Sequence, residues 1–320
     1  MAFFASKQLA GILIGAAYGL TIRLVSAHPL GQTFLGTISS TFFYVCPFCV
    51  GAIAVLWGAE RGVRMALSRQ LGLAAAAMLL FLVGMFATFL EGLICIALIL
   101  PVFIIASMAG GLAAGAVHNY VRVNRATLPA LAILPFLLGP LESLTPPARS
   151  EQSVTNTLHV DAPPEVVFDH LADVRQIKPG ELGFTFVHLI GLPRPLEAQM
   201  AGSGVGSVRT SRWEKQVWFQ EVITESVRPQ ALRYRFVVPK GAIPRESLDE
   251  HVEINGEYFE LVDGGFTLTP AGGGTDLSLT TRFINKSHMK VYGDLWGKLV
   301  LKDFHRSILG LMKNRSEQHS

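Results

Sequence analysis

Beyond residue 100 this chain has no cysteine: Cys46, Cys49 and Cys95 all lie earlier, so no internal disulfide can staple the C-terminal half. That half must be held by a packed core, which about 170 residues can supply. Acidic side chains are scarce at the other end. Up to Arg149 there are only Glu60, Glu91 and Glu142 against eight basic residues, a net charge of +5, while the remainder has 19 basic and 21 acidic residues, a net −2. The basic excess sits in loops between hydrophobic runs, which excludes a nucleic-acid surface. The nine histidines include no HxxxH or HExxH spacing, so no metal site is indicated. The glycine-rich stretches 202–206 and 272–274 join strands rather than opening helices, so there is no phosphate loop. No cofactor signature, Ser-His-Asp order or catalytic carboxylate pair can be assigned.

What the chain has in excess is apolar sequence. Half of its 320 residues are hydrophobic, too many for a single soluble globule. Residues 39–58, 71–90 and 92–117 each meet the roughly 20-residue requirement for crossing a bilayer. Residues 8–22, between Lys7 and Arg23, are expected to form a further membrane helix, and 126–141, uncharged but containing Pro129, Pro135 and Pro140, a fifth span. Residues 1–143 thus read as an α-helical membrane bundle of about five spans. Arg61, Arg64 and Arg69 follow the second span and Arg122 and Arg125 the fourth, while the turn after the third holds only Glu91. The positive-inside rule then puts the N-terminus in the cytoplasm of a bacterial-type inner membrane and the C-terminal domain outside it. Cys46 and Cys49, separated by Pro47 and Phe48, have a spacing that permits thiol–disulfide exchange, although two small residues around a proline kink is the plainer reading.

A polar linker, residues 144–153, leads to the domain 154–320. The Pro-containing stretch around it, about 15 residues, reaches no more than roughly 50 Å. Alternating polarity marks strands at 154–160, 196–201, 206–213, 216–226, 231–238, 258–269 and 276–284, with a hairpin signal at Ala271-Gly272-Gly273-Gly274. Asp161-Ala162-Pro163-Pro164-Glu165 reads as a helix start. Residues 180–195 form an apolar loop broken by Gly and Pro, readable as a packed rim, a lid or a membrane-dipping opening, and 240–252 a polar insertion. Residues 290–315 carry a helical stripe of Tyr292, Leu295, Trp296, Leu299, Val300, Phe304, Ile308, Leu311 and Met312. The expected class is α+β, a curved antiparallel sheet around a long C-terminal helix.

This order of elements, with the stretches 160–173, 195–209 (PLEAQMAGSGVGSVR) and 266–283, resembles the START-like superfamily, also called SRPBCC, over residues 153–315. Within it the likeness is to the polyketide cyclase/dehydrase and lipid transport group. The resemblance implies a helix-grip fold with a deep apolar cavity for lipids, polyketides, quinones or similar molecules, some members being enzymes. Periodicity alone reads the inward faces as packed core. The resemblance makes Tyr234, Phe236, Val238, Phe266, Leu279, Thr281, Phe283, Trp296, Val300 and Phe304 the candidate pocket lining, with Arg209, His251, Asp294 and His305 as polar candidates. Three readings stay open: binding or transfer of a lipid or isoprenoid, a cyclase or dehydratase using the same cavity, and an assembly protein that docks a partner. The implied partners are the bilayer and a hydrophobic small molecule; a protein partner is unknown.

Overall fold

The computed structural model describes residues 6–28, 39–121, 127–142, 144–146, 149–244, 247 and 254–318. The chain divides into two compact units, Met1–Pro147 and Ala148–Ser320.

In the first unit, α1 (Ser6–Ala27), α2 (Cys46–Gly58, preceded by a π-helical turn at Thr41–Val45), α3 (Leu67–Ala87) and α4 (Leu93–Tyr120) give four helical segments long and apolar enough to cross a membrane. The segment expected as a fifth span is α5 (Thr127–Glu142), apolar but only 16 residues long. The π turn has a local cause. Pro47 has no N–H to donate, and the Cys46 N–H reaches back to the Thr41 carbonyl in a widened turn. Small residues bring the helices together: a Cβ on Gly51 would meet the Ser107 carbonyl, and one on Gly110 the Phe48 carbonyl, so the backbones of α2 and α4 touch. Cys46 and Cys49 are both fully buried in this packing, without the access that disulfide exchange requires.

Polar contacts mark one end of the bundle. Arg23, near the end of α1, donates to the Glu91 carboxylate and to the Leu90 carbonyl, both at 2.9 Å. At the start of the following span the backbone N–H groups of Ser40 and Thr41 donate to Glu142, the last residue of α5, at 2.5 and 2.8 Å. Helix α5 therefore ends at the face carrying Glu91, and Arg61, Arg64 and Arg69 lie in or beside the α2–α3 connection at the opposite face.

The second unit is a seven-stranded antiparallel sheet with one long helix across it. Its strands are β1 (Ser150–Val160), β2 (Pro195–Ala201), β3 (Val208–Trp213), β4 (Trp218–Val227), β5 (Ala231–Val237), β6 (Phe259–Ala271) and β7 (Gly274–Asn285), in the order β1-β7-β6-β5-β4-β3-β2. Between β1 and β2 lie α6 (Pro164–Ala172) and the short α7 (Phe186–Leu189); α8 (Lys290–Glu317) closes the chain. Proline opens α6 and Glu165 lies in its first turn, satisfying the positive helix end. The β6–β7 hairpin turns at Gly272 and Gly273, whose φ values of 57° and 86° place both central residues in the left-handed region that glycine tolerates.

Two apolar clusters fill the space between sheet and helices. The larger joins α6 (Val167, Phe168, Leu171) and the C-terminal half of α8 (Leu309, Leu311, Met312) to Leu232, Phe266, Leu277 and Leu279 of the sheet. The smaller joins Val154, Leu261 and Phe283 to Leu301 of α8.

The structure corrects the sequence reading in three places and leaves a fourth outside the described residues. Residues 150–153, assigned to the linker, already pair with β7. Val238 lies past the end of β5. The insertion 240–252 falls mostly outside the described residues. Leu295 and Leu299 are not on the packed face of α8, being 52% and 47% exposed. The helix instead meets the sheet through Gly293 and Gly297, where a Cβ would lie 2.5 Å from Asn285 Nδ2 and 2.6 Å from Phe283 Cε2. At about 100° per residue, positions two further along point to the other side.

Candidate functional site

The inner face of the sheet follows from period-2 alternation. Tyr234 and Leu232 of β5 are buried while Arg233 and Arg235 are exposed, and Leu277, Leu279, Thr281 and Phe283 of β7 are buried in alternation. Of the candidate lining, Tyr234, Phe266, Leu279, Thr281 and Phe283 are buried on this face, and Phe236 is partly buried between the two clusters. Val238, off the strand, is not part of that array.

A chain of aromatic contacts crosses the space between β3–β5 and α8. His188 meets the edge of Phe304 at 5.5 Å between centroids, Phe304 meets Trp213 at 5.3 Å, Trp213 lies 5.7 Å from Phe219, and Phe219 meets Phe236 at 5.7 Å. Tyr234 then meets Phe236 at 5.3 Å. Strand β5 is the middle strand of seven, yet Phe236, on its inner face, retains solvent exposure, as do Trp213, Val300 and Phe304. Farther along α8, Trp296 stacks on Phe186 of α7 at 6.2 Å.

Polar groups are set into this apolar interior. His305, 2% exposed, shares a 2.9 Å hydrogen bond between its Nε2 and the Thr281 hydroxyl, and its Nδ1 is buried with no partner among the described residues. Burial pushes its pKa down to about 4, so the imidazole is neutral at ordinary pH. Arg209 on β3 forms a two-pronged ion pair with Glu221 on the neighbouring β4, both side chains under 8% exposed. Arg209 also donates to the Leu171 carbonyl at 2.5 Å and lies over the Tyr234 ring at 5.0 Å from its centroid. Burial raises the Glu221 carboxyl against the pull of Arg209, whose guanidinium keeps its charge. The Tyr234 phenol is likewise raised, by burial first and then by Glu221.

The structure separates the four polar candidates. His305 and Arg209 face the interior. Asp294 is a structural tie: its carboxylate accepts from Ser150 Oγ at 2.7 Å, Asn285 Nδ2 at 3.0 Å and Gln152 Nε2 at 3.2 Å, fastening the first turns of α8 to β1 and β7. His251 lies outside the described residues. Glu221, Trp213 and Phe219 were missed in the sequence, where β4 gave alternation without a reason to single out an inward carboxylate. The available signal was the pairing of Arg209 with Glu221, which becomes legible only once the β3–β4 register is known.

No family model matches the chain, and no curated protein does. Solved structures match its C-terminal half. They include Ara h 8.0201, with 14% identity over 53% of this chain and 97% of the other and a TM-score of 0.32. Norcoclaurine synthase from Thalictrum flavum, in complex with dopamine and hydroxybenzaldehyde, shows 11% identity over 54% and 90% of the two chains, TM-score 0.34. The protein of unknown function SA2116 from Staphylococcus aureus shows 10% identity over 53% and 96%, TM-score 0.36.

Proposed function

We propose that the second unit holds a hydrophobic small molecule, such as a lipid or isoprenoid, between its sheet and α8, in a protein anchored by the apolar helices of the first unit. The observation that carries this reading is the incomplete closure at the end of the sheet where β3 and β5 finish: Phe236, Trp213, Val300 and Phe304 present apolar surface that solvent still reaches. Aromatic walls contribute apolar contact. Orientation follows from charge. Helix α5 ends at the face opposite Arg61, Arg64 and Arg69, so the positive-inside rule supports a second unit outside the cytoplasm.

The test is native mass spectrometry with lipid extraction on the full chain released from a membrane mimetic, compared with Phe236→Asp. A stoichiometric hydrophobic molecule in the parent and its loss from a folded variant are expected. An empty parent, or a ligand retained by the folded variant, overturns this site. The cyclase or dehydratase reading has one observation in its favour: an ionisable side chain, His305, is set into the interior with its Nδ1 unbonded among the described residues, although a pKa of about 4 makes it a weak base. Turnover of a bound polyketide that disappears in His305→Gln, with binding intact, would establish it.

A further inference from the structure

We infer that the second unit docks onto an anionic lipid surface through an apolar patch formed by one stripe of α8 and the segment carrying α7. This goes beyond ligand binding and stands whether or not the interior is loaded.

Val291, Leu295 and Leu299 recur every four residues and are 83%, 52% and 47% exposed. Beside them Phe184 and Leu189 are 86% and 63% exposed, and Phe186 is 41% exposed although one face of its ring is stacked on Trp296. The two segments are fastened together, since the Val187 N–H donates to Asp303 Oδ2 at 2.9 Å. Single exposed hydrophobic residues are ordinary, but six large ones gathered on two adjoining elements are not.

Charge selects the occupant. Lys298, Lys302 and Arg306 flank the stripe and, with Lys290, outnumber Asp294 and Asp303 in the same stretch, whose carboxylates are turned to Ser150, Gln152 and Asn285 and to the Val187 amide. An apolar surface with a basic rim suits the headgroup and acyl boundary of an anionic leaflet, with apolar side chains about 5–10 Å deep. Covalent connection selects it as well. Strand β1 begins at Ser150, which is bonded to Asp294 in the first turns of α8, one residue from Leu295. Only residues 143–149 separate it from the end of α5, a reach of at most about 25 Å. The tether therefore leaves the second unit at the end of α8 that carries the patch.

The full chain, reconstituted in nanodiscs of phosphatidylcholine with phosphatidylglycerol, is labelled with an environment-sensitive dye at Leu189→Cys or Leu295→Cys. Val227→Cys, at the end of β4 and 44% exposed in the parent, is the control. Brominated lipid should quench the first two labels and spare the third, with less quenching when phosphatidylglycerol is omitted. Water-like, unquenched labels at 189 and 295 overturn the proposal, as does shielding that grows with protein concentration, which would identify a second copy as the occupant. Because a dye can disturb its site, hydrogen exchange of the unlabelled Leu189→Glu/Leu295→Glu chain provides an independent reading. Faster exchange confined to 184–189 and the start of α8 supports docking, and exchange identical to the parent overturns it. Native mass spectrometry of the same sample keeps the two ideas apart: a loaded interior with unquenched labels removes docking alone, and quenched labels with an empty interior remove ligand binding alone.

Discussion

His305 is the residue whose chemistry departs most from its sequence appearance. One histidine among nine on an amphipathic helix gives no sign that its ring is sealed against Thr281 and held neutral. Burial lowers its folded-state pKa to about 4 from an ordinary value near 6.5. Below the unfolded value the unfolded chain takes up a proton that the folded chain refuses, so the second unit loses stability as pH falls from about 6.5 to about 4, by up to roughly 3 kcal/mol. Above that window the group contributes no slope. Unfolding of the second unit followed by pH in the parent and in His305→Gln should show this part of the acid slope vanish in the variant; an identical slope would mean that the imidazole is not shielded as described. Arg209 and Glu221 depend on each other in a different way, because removal of either leaves a buried charge without its partner.

At the scale of elements, α8 is organised by its glycines as much as by its apolar stripe. Gly293 and Gly297 allow the helix to approach Asn285 and Phe283 closely, and this turns Leu295 and Leu299 outward. Phe283 is fully buried and stacked on Phe259 at 5.1 Å, so its ring cannot swing aside. Gly297→Ala should therefore destabilise the second unit by about 1–3 kcal/mol through overpacking, even though alanine favours a helix interior by about 1 kcal/mol. Denaturant unfolding measures this; a stabilised variant would show that the helix can lift at no cost. An apolar periodicity of 3.6 residues revealed that α8 packs, but its sheet-facing side was not legible, because glycine carries no hydropathy signal and yet determines how near two backbones come.

At the scale of the whole molecule, topology is the testable consequence of charge placement. A cysteine at Arg149→Cys, an exposed position just before β1, should react in intact cells with a reagent that cannot cross the inner membrane, while Cys46, Cys49 and Cys95 remain buried. Labelling only after lysis would put the second unit in the cytoplasm. The sequence by itself determined the division into an apolar helical part and an α+β part, the strands, the Gly272-Gly273 hairpin and the terminal helix. These depend on local hydrophobic period, chain length and turn chemistry, which are written residue by residue. The tertiary structure decided that Arg209 meets Glu221, that His305 meets Thr281, that Asp294 is a tie and that Leu295 is exposed. Each depends on strand register, where a slip of one residue reverses every side chain, or on helix rotation, where it turns each by about 100°, and only the summed packing of distant segments selects among those alternatives.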